Sequence, residues 1–269
     1  MIDGALPYLR CPVCREALER TGDQVLGCPR RHSFDIARQG YVNLTAGRSP
    51  HSGDTAAMIE DREAFLAAGH YTFITKILTE TVRPDDGLIV DAGTGTGHYL
   101  AHLLDARPDA YGLGLDVSKP ALRRAARAHP RAAAALTDLW SPLPLEDVCV
   151  STIVNVFSPR NGPEFRRVLH SDGTLIVVTP AQDHLAELVE AHGLIGVDPA
   201  KPDRVSENLG TLFEAEGTTT LRHEMHLTAA EVRTLIGMTP SAHHVSLTDL
   251  QTENITVTAA VDVTVYRPA

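Results

Sequence analysis

The chain has 269 residues, of which 43% are hydrophobic and 22% charged, and its 34 acidic residues outnumber 24 lysines and arginines to give a net charge of −10. This composition is typical of a globular protein and excludes a disordered chain, a collagen-like repeat and a disulfide scaffold. No apolar run approaches the roughly 18 residues needed to span a bilayer, and the first residues lack the features of a secretory signal. We therefore expect a cytoplasmic protein with no membrane partner.

Charge is unevenly distributed along the chain. The first 50 residues carry seven arginines against five acids, for a net charge of +2, and the remainder carries −12. An acidic average disfavours general nucleic-acid affinity, but a local arginine patch remains compatible with it because guanidinium groups suit phosphates and base edges. The alternative is that these arginines are ordinary solvated side chains, and the composition leaves both interpretations open.

The residue pattern divides the chain into three parts. Residues 1–45 are rich in Cys, Pro, Gly and Arg, and we expect them to form a small separate module. Residues 46–85 are predicted to be a linker and a helical lead-in, with one helix over Asp61–Leu78. Residues 86–269 alternate strand and helix patterns and are predicted to form the main domain.

Four potential metal ligands lie in the first module. Their spacing is C-x2-C-x13-C-x3-H, formed by Cys11, Cys14, Cys28 and His32. Two such knuckles can place four ligands at the corners of a tetrahedron, which is the geometry of structural zinc, whereas a disulfide is the poorer explanation in a cytoplasmic chain. The remaining cysteine, Cys149, lies in an apolar run and is predicted to be a small buried residue.

The main domain is predicted to be an α/β fold. Its expected elements are strand Leu88–Asp91, helix His98–Ala106, strand Tyr111–Asp116, helix Lys119–Ala128, strand Ala133–Asp138, the apolar run Val148–Phe157, helix Pro163–Leu169, strand Thr174–Thr179 and a helix over 183–192. This alternation predicts a mostly parallel sheet covered on both faces. The β-rich stretch Thr252–Tyr266 is predicted to pair antiparallel at the edge of that sheet.

A glycine-rich loop follows the first of these strands. Asp91 closes the strand, and Gly93, Gly95 and Gly97 follow, where the chain must turn, approach a ligand and start a helix. Asp116 ends the next strand, 19 residues beyond Gly97, where a carboxylate can accept hydrogen bonds from ribose hydroxyls. This arrangement predicts a ligand that contains adenosine.

The spacing of the glycines favours S-adenosylmethionine as that ligand. The loop is G-x-G-x-G, not the G-x-G-x-x-G that admits a pyrophosphate, and Asp91 would repel a pyrophosphate but attract the ammonium group of a methionine moiety. Asp138, after the next strand, is positioned to reach an adenine amino group. The pattern predicts a Rossmann-like class I SAM-dependent methyltransferase domain that follows an N-terminal zinc ribbon. A dinucleotide enzyme and an incidental glycine turn are the alternatives.

Together, the zinc knuckles and the glycine loop resemble one family, the bacterial large-subunit ribosomal RNA guanine-N1 methyltransferases called RlmA. The resemblance covers essentially the whole chain through the motifs CPVC, CPRRH, SFDIARQGYVNL (33–44), AFLAAGHY (64–71), GLDVSK (114–119), TP followed by HL (179–185), and MTP (238–240). The chain is most similar to the branch that methylates guanine 748 in hairpin 35 of 23S rRNA and confers resistance to tylosin-type macrolides. A sister branch acts on guanine 745.

The resemblance implies roles for individual residues. It assigns the zinc ligands to Cys11, Cys14, Cys28 and His32, and contacts with S-adenosylmethionine to Tyr71, the loop around Gly95 and Thr96, and His184. It also implies a homodimer whose zinc modules border an RNA-binding cleft, which would place five arginines near RNA: Arg10, Arg15, Arg30, Arg31 and Arg38. The chain departs from the family where Thr94 and Thr96 stand in place of Cys and Glu, and where Asn155 replaces a basic residue.

Methyl transfer to guanine N1 makes two chemical demands. The base must be extruded so that its Watson–Crick edge is accessible, and N1 must lose its proton. Asp138, Asn155 and His184 are candidates for accepting or relaying that proton, and the sequence does not choose among them. The alternatives to an rRNA enzyme are a SAM-dependent methyltransferase of small molecules and a non-catalytic RNA-binding factor.

Overall fold

A computed structural model describes residues 2–47, 51–83, 87–198, 208–244 and 252–269. Residues 48–50 and 84–86 of the predicted linker lie outside the described residues. The N-terminal part contains α1 (Ile2–Ala5), a 3-10 turn (Leu6–Tyr8), and a three-stranded antiparallel sheet of β1 (Glu19–Gly22), β2 (Val25–Gly27) and β3 (Ser33–Asp35). The short strand β4 (Val42–Asn43) follows it.

The main part is an eight-stranded sheet with helices on both faces. Its strands are β5 (Leu88–Ala92), β6 (Tyr111–Asp116), β7 (Ala132–Leu136), β8 (Val150–Val156), β9 (Leu169–Pro180), β10 (Phe213–Leu227) and β11 (Ile255–Pro268), joined by β4. The helices are α2 (Ala56–Ala67), α3 (Thr72–Thr81), α4 (His98–Ala106), α5 (Lys119–Ala128), α6 (Gly162–Val168), α7 (Ala186–His192) and α8 (Ala229–Gly237), followed by a 3-10 turn (Pro240–His243).

The strand order is β10-β11-β9-β8-β5-β6-β7-β4, and the six strands from β9 to β4 are parallel. The order reverses between β5 and β8, because the chain runs outward from β5 in one direction and returns to start again at β8. In open α/β sheets a ligand binds at such a reversal, outside the carboxyl ends of the strands. The predicted α/β fold is therefore confirmed, and its topology places the expected ligand site at the end of β5.

Each face of the sheet has its own buried cluster, since side chains alternate along a strand. Within β5, Val90 belongs to one cluster and Ile89 to the other. The cluster that contains Val90 also includes Leu9, Leu18 and Leu26 of the N-terminal part. The zinc module therefore shares a core with the sheet, and β4 adds to it by pairing in parallel with β7.

Several predicted bounds agree with the structure. The elements His98–Ala106, Tyr111–Asp116 and Lys119–Ala128 begin and end where the sequence predicted them. The last of them starts at a recognisable cap, because the Ser118 side chain accepts a hydrogen bond from the backbone N–H of Ala121. Cys149 is buried as predicted.

The predicted single helix over Asp61–Leu78 is wrong. The structure contains two helices, α2 and α3, with a turn between them in which Gly69 has a φ of 86°. That left-handed conformation is natural for glycine and ends a helix, so the Ala-Ala-Gly segment closes α2. The break leaves Tyr71 at the start of α3, where it faces the interior.

The C-terminal prediction was correct in pairing and wrong in position. The strand pairs antiparallel but lies inside the sheet between β9 and β10, so the edge strand is β10, which the sequence did not reveal. Most β10 side chains are exposed and polar, which gives no apolar alternation to detect.

The predicted strand Ala133–Asp138 was also wrong in its end, because β7 ends at Leu136 and Asp138 lies in the loop beyond it. Among the described residues, no helix is sufficiently long and apolar to cross a bilayer.

Candidate functional site

The four predicted zinc ligands lie together at one end of the N-terminal sheet. The Nδ1 atom of His32 is 3.5 Å from Cys11 Sγ and 3.4 Å from Cys28 Sγ, and Cys14 Sγ is 3.6 Å from Cys28 Sγ. All four ligand atoms lie within 4.8 Å of one another. A tetrahedral zinc with these donors needs ligand separations of about 3.5 to 3.8 Å, so the cluster fits zinc.

Two similar turns hold these ligands. Arg15 and Arg31 have φ values of 66° and 65°, and their backbone N–H groups donate to the carbonyls of Cys11 and Cys28. Each knuckle is thus closed by an arginine whose backbone is in the left-handed conformation. With four protein ligands the site has no open position for a substrate, so its zinc is structural.

The zinc module is bound to the loop between β7 and β8. The guanidinium of Arg15 donates to the carbonyls of Leu143 and Leu145 at 2.6 and 2.7 Å, and Arg10 forms an ion pair with Glu146 at 2.5 Å. These two arginines therefore join the module to the main sheet, which disfavours the RNA contact that the resemblance implied for them. The other three, Arg30, Arg31 and Arg38, are exposed.

The glycine loop has the backbone conformation that its sequence requires. Gly93, Gly95 and Gly97 have φ values of 87°, 54° and 80°, all in the left-handed region. A Cβ added at Gly97 would lie 2.9 Å from the Cα of Ala125, so that glycine also permits α4 and α5 to pack closely. Thr96 lies between Gly95 and Gly97 in the loop and is half-buried. The loop lies at the carboxyl end of β5, where the sheet topology predicts a ligand.

Two carboxylates frame this loop. Asp116 accepts hydrogen bonds at 2.8 Å from the backbone N–H groups of Gly95 and Ser118, one on each oxygen, and each oxygen retains a second lone pair for a ribose hydroxyl. Asp91 is 1% exposed and accepts a hydrogen bond from the Thr94 hydroxyl at 2.8 Å. Burial raises the pKa of Asp91 to about 7 and also raises the pKa of Asp116.

Residues 51–62 cover this part of the site, a contact that we did not predict from the sequence. Asp138 Oδ2 lies 2.7 Å from His51 Nδ1, and its Oδ1 accepts from the backbone N–H of Trp140. Arg62 forms an ion pair with Asp54 at 2.8 Å, and its Nη1 would lie 3.3 Å from a Cβ placed on Gly95. Arg62 thus brings a guanidinium to the glycine loop, where it could bind the carboxylate of a methionine moiety.

An aromatic cluster lies beside the loop. The ring of Tyr71 is 6.2 Å from that of Phe157 and 6.5 Å from that of His184, and the Phe157 and His184 rings are 5.7 Å apart. His184 is oriented by a 2.8 Å hydrogen bond from Nδ1 to the carbonyl of Ala260. The structure therefore brings Tyr71 and His184 together with Phe157, which the sequence did not single out.

The residues at the carboxyl ends of β5, β6 and β7 fit S-adenosylmethionine. Asp91 is a buried carboxylate with no cationic partner among the described residues, and the ammonium group of the ligand would supply one. Asp116 suits the ribose, and Asp138 suits the adenine amino group. Individual contacts at these residues stay predictions.

Asn155 has a structural role in the turn after β8. Its Nδ2 donates to the carbonyls of Ala92 and Pro159 at 3.0 and 2.9 Å, which joins this turn to the end of β5. An amide oxygen is not a useful base, so the structure disfavours Asn155 as proton acceptor. The residue instead positions the segment that carries Phe157 and Ser158.

Comparison with known proteins gives close relatives over most of the chain. A family model described as RlmA, N-terminal, matches residues 9–52. A "Putative 23S rRNA (guanine-N(1)-)-methyltransferase" of Micromonospora griseorubida is 55% identical, and the match covers 98% of each chain. The 23S rRNA (guanine(748)-N(1))-methyltransferase of Streptomyces fradiae is 49% identical, covering 88% of this chain and 86% of the relative.

Similarity to solved structures concerns the fold alone. A chain from the complex between the Haloferax volcanii Trm112 methyltransferase activator and "the putative methyltransferase" matches with a TM-score of 0.53 and 16% sequence identity. The match covers 81% of this chain and 99% of the other. The fold is thus one that methyltransferases use, in agreement with the prediction from the glycine loop.

Proposed function

Because the chain belongs to the family of 23S rRNA (guanine-N1)-methyltransferases, we propose that it methylates guanine 748 in hairpin 35 and contributes to resistance to tylosin-type macrolides. The observation that supports this position is the 49% identity with the Streptomyces fradiae enzyme, whose name specifies guanine 748. The chain is a SAM-dependent enzyme with a structural zinc. We propose that it acts in the cytoplasm, as a homodimer.

Several residues of the site would bind and orient the methyl donor. S-Adenosylmethionine, when bound, supplies an electrophilic methyl group on a sulfonium sulfur. Asp91 and Arg62 would hold the two charged ends of its methionine moiety, and Asp116 its ribose. Fixing the donor in this way brings the reacting atoms into line, which is a large part of what an enzyme contributes to a bimolecular transfer.

Removal of the N1 proton is the second task of the site. His184 belongs to the aromatic cluster and has its ring orientation set by the carbonyl of Ala260. Asp138 lies in the loop after β7, in contact with His51. We propose that one of these two relays the N1 proton to solvent.

The direct test is methylation of unmodified 23S rRNA with labelled S-adenosylmethionine, followed by digestion to nucleosides. We expect the label in 1-methylguanosine at one equivalent per RNA. An enzyme for small molecules would leave the RNA unlabelled while still binding the cofactor, and a non-catalytic RNA-binding factor would bind RNA without transfer.

A charge-reversal variant tests whether the zinc module binds the RNA. The variant Arg30→Glu/Arg31→Glu changes two exposed arginines, and we expect at least a tenfold weaker RNA affinity and a corresponding loss of methylation. Zinc content and affinity for S-adenosylmethionine should be unchanged. The matched control is Arg83→Glu, an exposed arginine at the opposite, amino-terminal end of β5. Equal effects of the two variants would contradict a role of the zinc module in RNA binding.

A further inference from the structure

A cavity of about 310 Å³ lies between the turn after β8 and the loop after β7. Its lining consists of Trp140, Phe157, Ser158, Pro159, Arg160 and Asn208. Trp140 and Phe157 are 52% and 40% exposed, which is unusual for large aromatic side chains. Phe157 also has a φ of 51°, a conformation that is strained for a bulky residue and that is found at functional sites. The volume is within the range of about 300 to 1,000 Å³ for ligand sites.

Two of the lining residues each have a buried polar atom. Neither Ser158 Oγ nor Arg160 Nε has a hydrogen-bond partner in the described part of the chain. The guanidinium of Arg160 donates from Nη1 to the carbonyl of Ser158 at 3.2 Å, and no carboxylate among the described residues forms an ion pair with it. Burial lowers the pKa of this guanidinium. A half-buried cation without a counter-charge is costly unless a ligand supplies an acceptor.

The cavity adjoins the predicted cofactor site on two sides. The Ser158 hydroxyl lies so close to the glycine loop that a Cβ added at Gly93 would be 1.8 Å from its oxygen. Phe157 is in the aromatic cluster with Tyr71 and His184. Trp140 follows Asp138 in the same loop, and its backbone N–H binds that carboxylate. A molecule in the cavity would therefore be adjacent to a methyl donor on the loop.

This inference rests on the proposed function. We propose that the cavity receives the extruded target guanine, with Trp140 and Phe157 contacting the base and Arg160 donating a hydrogen bond to its O6. Stacking on aromatic side chains is sequence-tolerant, whereas an arginine that faces O6 selects guanine over adenine. Ser158 then donates a hydrogen bond at the edge of the base that faces the glycine loop.

Arg160 would also assist the reaction itself. The N1–H bond breaks and its proton passes to solvent, the electron pair of N1 forms the new N1–C bond, and the pair of the broken S–C bond stays on sulfur. The negative charge of deprotonated guanine is shared between N1 and O6, so a guanidinium at O6 stabilises it. Arg160 should therefore lower the pH at which the bound base loses its proton.

Single-turnover methylation of unmodified 23S rRNA across a pH series tests this role. With Arg160→Gln we expect a rate about 100-fold lower, because one donor to the developing anion is lost. The inflection of the pH–rate profile should move to higher pH by at least one unit, while RNA affinity changes less than threefold. Arg160→Lys retains the charge and should recover about tenfold of the lost rate. Trp140→Ala should weaken productive RNA binding about tenfold through lost stacking.

The control variant is Arg166→Gln, because Arg166 is not among the residues that line the cavity and its guanidinium donates to the carbonyl of Ala269. Its rate should match that of the wild-type enzyme. Thermal melting and cofactor affinity verify that each variant is folded. If Arg160→Gln retains its rate within threefold and its pH profile, the inference is overturned and the proposed function stands. Absence of 1-methylguanosine with the unmodified chain overturns both.

Discussion

Replacing one zinc ligand, as in Cys28→Ser, is expected to release the metal and lower the melting temperature by about 10 °C or more. Zinc binding to small ribbons is coupled to folding and contributes on the order of 10 kcal/mol. The effect should extend beyond the module, because Leu9, Leu18 and Leu26 pack in the same core as the sheet and β4 pairs with β7. Metal analysis and calorimetry measure the two consequences.

The remaining cysteine provides a matched control for this experiment. Cys149 lies outside the cluster, with its Sγ donating to the carbonyl of Glu146 at 3.2 Å. We expect Cys149→Ala to keep one zinc per chain and to lose only the small stability of a buried thiol. A Cys28→Ser protein that retains stoichiometric zinc and an unchanged melting temperature would show that the cluster is not the zinc site.

Asp91→Asn is expected to weaken S-adenosylmethionine binding about 100-fold while making the cofactor-free protein more stable. The carboxylate is buried without a cation, and the ammonium of the cofactor is the group that it can pair with. A buried pair that loses one charge commonly costs several kcal/mol of binding. Calorimetric titration with the cofactor measures the first effect, and Asp116→Asn serves for comparison because Asp116 has two backbone donors.

The same residue predicts how cofactor affinity depends on pH. The pKa of Asp91 is about 7 in the free protein, and the ligand's ammonium binds only the ionised form. Affinity should therefore rise about fivefold between pH 6.0 and 7.5 and decline again above about pH 7.5, because an α-amino group loses its own proton with a pKa of about 7.7 to 8.0. Asp91→Asn should abolish the rise. An equal rise in the variant would assign the titration to another group.

The free energy of unfolding should fall with rising pH because of Asp91, whereas cofactor affinity rises. Its pKa in the folded protein, about 7, is above the usual 3.8, so the folded state holds the proton more tightly than the unfolded state does. Stability from this group is complete below pH 4 and decreases as the pH rises to 7, by up to about 4 kcal/mol. Asp91→Asn should accordingly raise the melting temperature more at pH 8 than at pH 5.

The sequence predicted those features that depend on local spacing. The turn after β5 needs a left-handed backbone at three closely spaced positions, and Gly93, Gly95 and Gly97 occupy those positions. The zinc cluster is similar, because Cys11 and Cys14 belong to one turn and Cys28 and His32 to another. Both features are encoded by residues that are close in the chain, so a single sequence suffices to find them.

Features that depend on contacts between distant segments could not be predicted. Arg62 lies in α2 and reaches Gly95, which is 33 residues further along the chain, and the sequence suggested one continuous helix where α2 and α3 are separate. Phe157 joins Tyr71 and His184 through packing of three separate segments. The edge position of β10 depends on its pairing with β11, between residues that are 28 to 55 positions apart in the chain, and the polar pattern of β10 gives no local signal of that pairing.

Primer extension through hairpin 35 identifies the guanine that is methylated, because a methyl group on N1 blocks Watson–Crick pairing and stops reverse transcriptase. Unmodified 23S rRNA is incubated with the enzyme, with and without S-adenosylmethionine, and then copied. We expect one new stop, dependent on the cofactor, immediately before guanine 748. Active enzyme that binds the cofactor and produces no stop in this hairpin, or a stop at a different guanine, would contradict it.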